Sequence, residues 1–366
     1  MIGSRRSVLT ESTGHPSHLL ESADDSGHNT RTDRTIFEGG SADARIGFVG
    51  DVMLGRGVNR RWTGHDPVAV WGSARERLQS LSGLVINLEC SISDRGHPLS
   101  EKAFNFRATP SFAKPALTDV NVALAALANN HILDFGEQAL RDTLVHLDDV
   151  DIAHAGADVD RESAFEPAIT TVDDLTVATL SLTDQYSQYA ANDGPGTAYA
   201  ALDPSDATTR SLVEDAITTA QRADADLVVA SLHWGANYET EPSDSYRAFA
   251  HWLVDSGVDV VHGHSAHILQ VVEVYRGRPI LYDTGDFVDD YIDKPGYANK
   301  QSAIFELVID EGSFDSLAVV PTKIENCAVE LADDTATTAC HRLCERSEDL
   351  GTTIEDEGSS LMIPLS

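Results

Sequence analysis

The chain has 366 residues, of which 42% are hydrophobic, so it can bury a core large enough for one large domain or two small ones. Its net charge of -33 arises from 59 acidic and 26 basic residues spread along the chain, which argues against nucleic acid as a partner, because phosphate binding needs clustered Lys and Arg. A spread acidic surface with only five lysines suits very high salt and predicts a halophilic protein; the alternative is an ordinary acidic cytoplasmic protein.

The first 43 residues are predicted to form a disordered leader. Within them, Ser4-Arg5-Arg6-Ser7-Val8-Leu9 resembles a twin-arginine export motif. The stretch that follows is rich in Ser, His, Asp and Gly and lacks the apolar region that a signal peptide needs. No run in the sequence approaches about 18 apolar residues, so no membrane span is predicted. We therefore expect a cytoplasmic protein.

From Arg45 onward, apolar runs bounded by turn residues predict strands and helices. In chain order, the predicted elements are strands at 46–49, 84–89 and 120–128, a helix at 136–147, a strand at 151–156, two strands within 168–182, a helix at 203–222, a strand at 227–232, a helix at 243–256, a strand at 258–261, a hairpin of 270–275 and 279–282, and strands at 303–309 and 316–320. Early strands alternate with helices and later ones form hairpins, which indicates stacked sheets with helices outside. The predicted organisation is one domain over 44–330, then a C-terminal helix and tail over 331–366, with the tail at 351–366.

The segment Val261-His262-Gly263-His264-Ser265-Ala266-His267 places three histidines in seven residues, directly after a short apolar strand. Histidines at the exit of a strand can direct neutral ring nitrogens at one point, which is the arrangement that a transition metal needs. The glycine lets the backbone bend close to such a site. The alternative is a histidine-rich turn at the surface, and the segment alone does not decide between the two.

Polar residues of metal-ligand types recur at five predicted strand ends. They are Asp51, Asn87 with Glu89, Asn130 with His131, His233, and the group of His262, His264 and His267. Each alone is more often a turn or core residue, but the carboxyl ends of strands in layered α/β folds share one functional edge. Carboxylate, amide and imidazole ligands together suit Mn, Fe or Zn, and a paired site activates water for in-line attack. The joint pattern predicts one or two divalent metal ions at this edge.

Five stretches of the sequence resemble those of a known family. They are Gly50-Asp51, Asn87-Leu88-Glu89, the run from Leu127 to Gly136 around Asn129-Asn130-His131, His233-Trp234-Gly235 followed by Glu241-Pro242, and the run from His262 to His267 followed by Gly285-Asp286-Phe287. The chain thus resembles the capsule biosynthesis protein CapA family of poly-gamma-glutamate synthesis, within the calcineurin-like metallophosphoesterase superfamily. The resemblance covers residues 45–295.

This resemblance implies a four-layer αββα sandwich of the metallophosphatase type, with a metal site at the sheet edge. It implies roles for seven residues: Asp51 and His267 as ligands of a first metal, Glu89 as the bridging carboxylate, Asn130, His233 and His264 as ligands of a second metal, and His131 as the general acid. Further candidates for contacting substrate are Asn87, Asn129, His262 and Asp286.

Two departures from the superfamily pattern leave the ligand set open. The usual opening Asp-x-His is Asp51-Val52-Met53 in this chain, so the first metal lacks a histidine. The usual closing Gly-His-x-His is one residue longer, as Gly263-His264-Ser265-Ala266-His267, whereas His262 and His264 have the two-residue spacing. The sequence therefore leaves open which two of the three histidines bind metal, and whether one metal or two is held.

The expected function is that of a metal-dependent hydrolase-fold protein linked to poly-gamma-glutamate biosynthesis, with water attack on an ester or amide-like bond. One alternative is a non-catalytic accessory protein that binds an anionic polymer or stabilises a synthetase complex, such as one with a polyglutamate ligase. Another is an intracellular phosphoesterase that acts on a small phosphoester.

Overall fold

The structure is a computed structural model that describes residues 44–310 and 312–365; the predicted leader, 1–43, lies outside the described residues. The described residues form twenty strands and eight α-helices. The strands are β1 (Ala44–Val52), β2 (Gly83–Leu88), β3 (Ser91–Ile92), β4 (Arg107–Ala108), β5 (Val122–Ala126), β6 (Ala153–Ala155), β7 (Ala157–Asp158), β8 (Ala168–Val172), β9 (Leu175–Thr183), β10 (Gly196–Thr197), β11 (Leu227–His233), β12 (Val260–His264), β13 (Val272–Tyr275), β14 (Arg278–Leu281), β15 (Asp286–Val288), β16 (Gln301–Asp310), β17 (Ser313–Glu325), β18 (Ala328–Leu331), β19 (Glu355–Asp356) and β20 (Leu361–Pro364). The helices are α1 (Arg56–Trp62), α2 (Arg75–Gln79), α3 (Pro110–Asp119), α4 (Glu137–Asp148), α5 (Arg161–Phe165), α6 (Ala207–Arg222), α7 (Asp244–Ser256) and α8 (Thr338–Asp349).

Two sheets carry the fold. The larger has the strand order β19-β20-β17-β16-β1-β2-β5-β6, with β15 also paired to β1 and β18 to β17. The smaller has the order β13-β14-β12-β11-β9-β8. Strands β1, β2, β5 and β6 run parallel in the first sheet, and β9, β11, β12 and β14 run parallel in the second. Because parallel neighbours point the same way, their carboxyl ends lie together at one edge of each sheet.

Side-chain alternation along the strands separates three apolar layers. On β2, Ile86 shares a buried cluster with Leu140 of α4, so this face of the larger sheet packs on helices. The adjacent Val85 points the other way and shares a second cluster with Val229 of β11, between the two sheets. On β11, Val228 belongs to a third cluster together with side chains of α6 and α7. The order helix, sheet, sheet, helix confirms the four-layer αββα sandwich.

Local sequence signals account for most of the helix and strand boundaries. Helix α7 begins directly after Ser243, the predicted N-cap, whose side chain accepts a hydrogen bond from the Tyr246 backbone N–H. Helix α3 was not predicted, because Pro110 starts it and Pro115 interrupts its periodic pattern. None of the helices in the described ranges combines the length and the apolar character needed to cross a membrane.

The C-terminal segment corrects one expectation. A tail was predicted over 351–366, but Leu361–Pro364 forms β20 and pairs antiparallel with β17 in the larger sheet. Leu361 and Ile363 are buried in the cluster between the sheets. Alternate apolar residues in this short stretch give it one face that packs on the core, so it completes the sheet rather than extending into solvent.

Candidate metal centre

Asp51 lies near the end of β1, between β2 and β15. Its register partners are Asn87 in β2 and Asp286 in β15, so three polar side chains reach the sheet edge next to one another. The preceding Gly50 permits this arrangement, because a Cβ there would lie 1.7 Å from the carbonyl oxygen of Gly285. The Asp51 backbone N–H donates to that same oxygen at 2.9 Å. Close packing of β1 on β15 therefore requires glycine before Asp51.

His233 and His264 end the parallel strands β11 and β12 and stand opposite each other in register. Their Nδ1 atoms lie 2.9 Å apart, and His264 Nδ1 lies 3.8 Å from Asp51 Oδ1. Ligand atoms of Asp51, His233 and His264 all lie within 4.8 Å of one another. We call these three residues the imidazole-rich group, because they offer one carboxylate oxygen and two ring nitrogens.

His267 lies between two carboxylates from the larger sheet. Its Nδ1 atom is 3.2 Å from Asp51 Oδ2 and 2.8 Å from Asp286 Oδ1. Ligand atoms of these three residues also lie within 4.8 Å of one another. Asp51, His267 and Asp286 form the carboxylate-rich group, and Asp51 belongs to both groups. Asp286, expected from the sequence to contact substrate, thus lies where a metal ligand would lie, while Val52 and Met53 are fully buried in the core.

One buried carboxylate holds the turns that carry His267 and Asp286. Asp283 accepts hydrogen bonds from the Ala266 backbone N–H at 2.6 Å and from the Gly285 backbone N–H at 2.8 Å. His267 itself has a positive φ of 61°, which a histidine rarely adopts. Asp283 therefore ties the two turns together and supports the strained conformation at His267.

Glu89 follows β2 and lies between two histidines. Its Oε1 atom is 3.8 Å from His131 Nε2 and 3.9 Å from His233 Nε2. Asn130 follows β5 and lies beside this region; its Oδ1 atom is buried, while its carbonyl oxygen accepts a hydrogen bond from the Lys102 ammonium. The sequence-predicted bridging carboxylate and amide thus lie next to the histidines, although neither belongs to the two groups above.

Two asparagines expected to contact substrate are instead bonded within the protein. Asn87 donates from Nδ2 to Asp51 Oδ1 at 2.7 Å, and Asn129 donates from Nδ2 to Asn87 Oδ1 at 3.0 Å. Asn129 Oδ1 accepts from the backbone N–H groups of His131 and Ile132, each at 3.0 Å. Both asparagines are fully buried. This chain of hydrogen bonds orients Asp51 and fixes the backbone at His131.

His131 is held through Nδ1, so its Nε2 atom is turned toward Glu89. Nδ1 lies 2.6 Å from Asp134 Oδ2 and 3.1 Å from the Lys102 ammonium, which donates to Asp134 Oδ1 at 2.6 Å. Burial lowers the pKa of His131, whereas its hydrogen bond to Asp134 acts in the opposite direction. Lys102 and Asp134 were not predicted. Asp134 follows His131 by three residues, which is a usable local signal, but no local pattern connects Lys102 to this site.

His262 lies deeper than the other two histidines of its segment. Its Nε2 atom is 2.9 Å from the Val49 carbonyl oxygen, and its Nδ1 atom is 3.2 Å from Ser231 Oγ. The ring is fully buried and belongs to neither ligand group. Burial lowers its pKa to about 4. This environment is that of a neutral core histidine and leaves no ring nitrogen for substrate.

The pKa shifts of the buried groups favour protonation states that reduce the net charge of the site. Burial raises the pKa of Glu89 well above its usual value, and the charge of Asp51 adds to this effect. Burial lowers the pKa of His233 to about 3, which keeps this imidazole in the neutral form that a metal requires. Burial alone would lower the pKa of His267, but Asp286 and Asp51 hold it well above the usual value. A proton on His267 thus offsets carboxylate charge at the place where a cation fits.

Several buried oxygen atoms lack a hydrogen-bond partner, and this bears on whether the residues fit a divalent metal. Among the described residues, no hydrogen bond reaches either oxygen of Glu89, Oδ2 of Asp51, Oδ2 of Asp286 or Oδ1 of Asn130. Burying such oxygens without a partner is costly, and a coordinated cation removes that cost. The ligand types and these unpartnered atoms therefore fit a divalent metal.

A cavity of about 470 Å³ borders the site. Asn130, His131 and His267 line one part of it. The rest of the lining includes three cationic residues, four aromatic residues and one acidic residue: Arg56, Lys102, Lys294, Phe104, Tyr186, Tyr238, Tyr291 and Asp290. A ligand in this cavity can contact His131 and His267 at one end and these side chains at the other.

The fold and the site define an αββα-sandwich protein that gathers, at one sheet edge, carboxylates and imidazoles able to hold a divalent metal. The comparison with protein families makes this more specific, because the family described as Bacterial capsule synthesis protein PGA_cap matches residues 45–291. The chain belongs to this family.

Curated relatives carry related descriptions. A protein of Mycobacterium tuberculosis described as "Probable polyglutamine synthesis accessory protein" is 34% identical, over 81% of this chain and 89% of its own length. The capsule biosynthesis protein CapA of Bacillus anthracis is 27% identical, over 76% of this chain and 67% of its own length. Among solved structures, a 5'-nucleotidase from Candida albicans is similar with a TM-score of 0.42 and 12% identity, over 77% of this chain and 52% of that chain.

Proposed function

We propose that this protein is a metal-dependent hydrolase that acts in poly-gamma-glutamate biosynthesis. The observation that carries the proposal is that Asp51 is shared by two ligand groups, while His131 Nε2 lies 3.8 Å from Glu89 beside the same cavity. Family membership and the descriptions of the relatives support the capsule-related context. The bond attacked would be an ester or an amide-like bond.

The proposed centre holds two metal ions of the Mn, Fe or Zn type. Asp51, His233 and His264 would hold one, and Asp51, His267 and Asp286 the other, with Glu89 and Asn130 as further oxygen ligands. When bound, such ions supply a nucleophilic hydroxide and neutralise charge on the attacked group. The two buried asparagines would act only by positioning these ligands, and His262 would act only as part of the packed core.

The proton-transfer role is assigned to His131. Asp134 accepts from Nδ1 and thereby fixes the orientation of the ring, so Nε2 would be the atom that, once protonated, passes a proton to the leaving oxygen or nitrogen. Lys102 donates to Asp134 and to the Asn130 carbonyl oxygen, so it would keep this arrangement in place.

A non-catalytic accessory protein is the second candidate. It is favoured by the word "accessory" in the description of the mycobacterial relative. In this case the same cavity would bind an anionic polymer, and the partner would be a synthetase such as a polyglutamate ligase. Co-purification of the two proteins from a producing cell is the direct measurement of that partnership.

Turnover separates the two candidates. Hydrolysis of an aryl phosphate and of a gamma-glutamyl oligomer is measured in molar KCl for three metal-loaded proteins. They are the wild type, His131→Gln and, as a matched histidine control, His341→Gln on the exposed face of α8. We expect hydrolysis by the wild type and by His341→Gln, and a loss of about 100-fold or more in His131→Gln with metal content unchanged. Binding of the oligomer without any turnover would favour the accessory protein.

The proposed compartment is the cytoplasm. Cys90, Cys327, Cys340 and Cys344 are all free thiols, as expected in a reducing compartment. Fractionation of a producing cell, with immunodetection of this chain, tests the assignment. Recovery of the chain in the external or envelope fraction would contradict it.

A further inference from the structure

The cavity beside the metal centre concentrates positive side chains in a strongly acidic protein. The chain has five lysines and a net charge of -33, yet two of those lysines, Lys102 and Lys294, line this one cavity together with Arg56. Each of the three cations lies over at least one aromatic ring. Such stacking limits the motion of long side chains before a ligand arrives, so less entropy is lost when the ligand binds.

Lys294 has a cationic group that no carboxylate neutralises within the described residues. The other four lysines form ion pairs with Asp134, Asp149, Asp289 and Glu325. The Lys294 ammonium instead lies 3.5 Å from the ring centroid of Tyr238. The Lys294 backbone N–H donates to Asn299 Oδ1 at 2.8 Å, which fixes the start of the side chain. Lys294 is therefore a positioned cation that is free to receive an anion.

Arg56 offers a second positioned cation. Its guanidinium carbon lies 4.6 Å from the ring centroid of Phe104 and 5.0 Å from that of Phe106. Its Nε atom is 3.4 Å from Asp290 Oδ2, but its NH1 atom is buried and has no hydrogen-bond partner among the described residues. The Arg56 backbone has a positive φ of 48°, a strained conformation of the kind that is retained at binding sites.

Lys102 differs from these two, because its ammonium is already committed. It donates to Asp134 Oδ1 and to the carbonyl oxygen of Asn130, and its side chain is only 8% exposed. The side chains available to a ligand at the outer part of the cavity are therefore Arg56 and Lys294. Phe104 and Ile292, which are 51% and 77% exposed, provide apolar surface next to them.

We propose that Arg56 and Lys294 form a second anion subsite that selects ligands with at least two separate anionic groups. One anionic group lies at the metal centre, and another lies between Arg56 and Lys294, while the apolar part of the ligand contacts Phe104 and Ile292. This inference rests on the proposed function, because it assumes that the first anionic group is bound at the metal centre. It extends that function by assigning multi-anion selectivity to residues outside the ligand groups.

Matched ligand pairs test the subsite in the metal-loaded full chain. The carboxylate pair is gamma-linked tetraglutamate and the same peptide with all carboxylates but one amidated. The phosphate pair is fructose 1,6-bisphosphate and fructose 6-phosphate. Dissociation constants are measured by calorimetry for the wild type, Lys294→Met, Lys294→Arg and Lys323→Met, at the lowest salt in which all four stay folded. Lys323→Met is the matched control, because it removes the same charge from a lysine that pairs with Glu325 outside the cavity.

The wild type, Lys294→Arg and Lys323→Met should prefer the multi-anionic member of at least one pair. In Lys294→Met the ratio of the two dissociation constants should fall about tenfold, which is the usual effect of one charge-assisted hydrogen bond, while the metal content stays unchanged. The pair that shows the preference identifies the ligand as a polycarboxylate or as a phosphorylated compound. An equal preference in Lys294→Met and Lys323→Met, or no preference in the wild type, would overturn the subsite. Because metal content is measured separately, either result would leave the proposed metal centre intact.

Discussion

Asp51 and Asp286 are register partners on the parallel strands β1 and β15, and His267 Nδ1 lies within 3.2 Å of a carboxylate oxygen of each. Three buried ionisable groups are thus brought together from segments that are far apart in the sequence. This relationship places a second buried carboxylate beside His267, next to that of Asp51. It makes the two ligand groups chemically unequal, since one has two carboxylates and the other has two imidazoles.

The first prediction concerns Asp286. Asp286→Asn should weaken binding at the carboxylate-rich group by at least about tenfold, because an amide is a weaker ligand than a carboxylate and leaves His267 with one anionic partner. Metal equivalents are measured by elemental analysis after dialysis, and a fall from two to one is expected. Asp149→Asn, at the exposed end of α4, is the charge-matched control and should retain both equivalents. Equal metal content in the two variants would remove Asp286 from the ligand set.

The second prediction separates the histidines. His233→Ala and His264→Ala should each lower metal content, because both rings belong to the imidazole-rich group. His262→Ala should lower the melting temperature while leaving metal equivalents unchanged, because the lost ring packs in the core and contacts Val49 and Ser231. Metal analysis and thermal melts on the same preparations give both readouts. A loss of metal in His262→Ala equal to that in His264→Ala would contradict the assignment.

The sequence predicted which strand ends form the functional edge of the sandwich, but not how the side chains of the candidate site are arranged there. Apolar runs that end in polar residues located β1, β2, β11 and β12, and parallel pairing then brought their ends together. The sequence could not choose between His262 and His264, because residues two apart on a strand share a face and differ only in depth. The position of Asp286 beside Asp51 was also hidden, since it depends on the long-range pairing of β15 with β1. Likewise, no local pattern places Lys294 over Tyr238.

The third prediction is that His262 makes a contribution to the stability of the metal-free protein that is lost in acid. Burial lowers the pKa of His262 from 6.5 to about 4, so between these values the unfolded chain binds a proton that the folded chain does not. His262 contributes about 3 kcal/mol to the free energy of unfolding above pH 6.5 for this shift, and this contribution is lost as the pH falls toward 4. Urea unfolding across this pH range measures the slope of the free energy of unfolding against pH. His262→Asn should flatten the slope, and an unchanged slope would show that another group controls it.

The last prediction concerns salt. Carboxylates on a chain of net charge -33 repel one another in dilute buffer, where the Debye length is about 10 Å at 0.1 M and about 3 Å at 1 M. Raising KCl should therefore raise the melting temperature, and sorbitol at equal osmolality, which does not screen charge, should raise it less. Added Mn²⁺ or Zn²⁺ should raise it further even in molar KCl, because a metal at about 100 times its dissociation constant stabilises the folded state by about 2.7 kcal/mol. Melting temperatures that stay flat with KCl would contradict the predicted halophilic character, and no shift with metal in molar KCl would count against a preformed site.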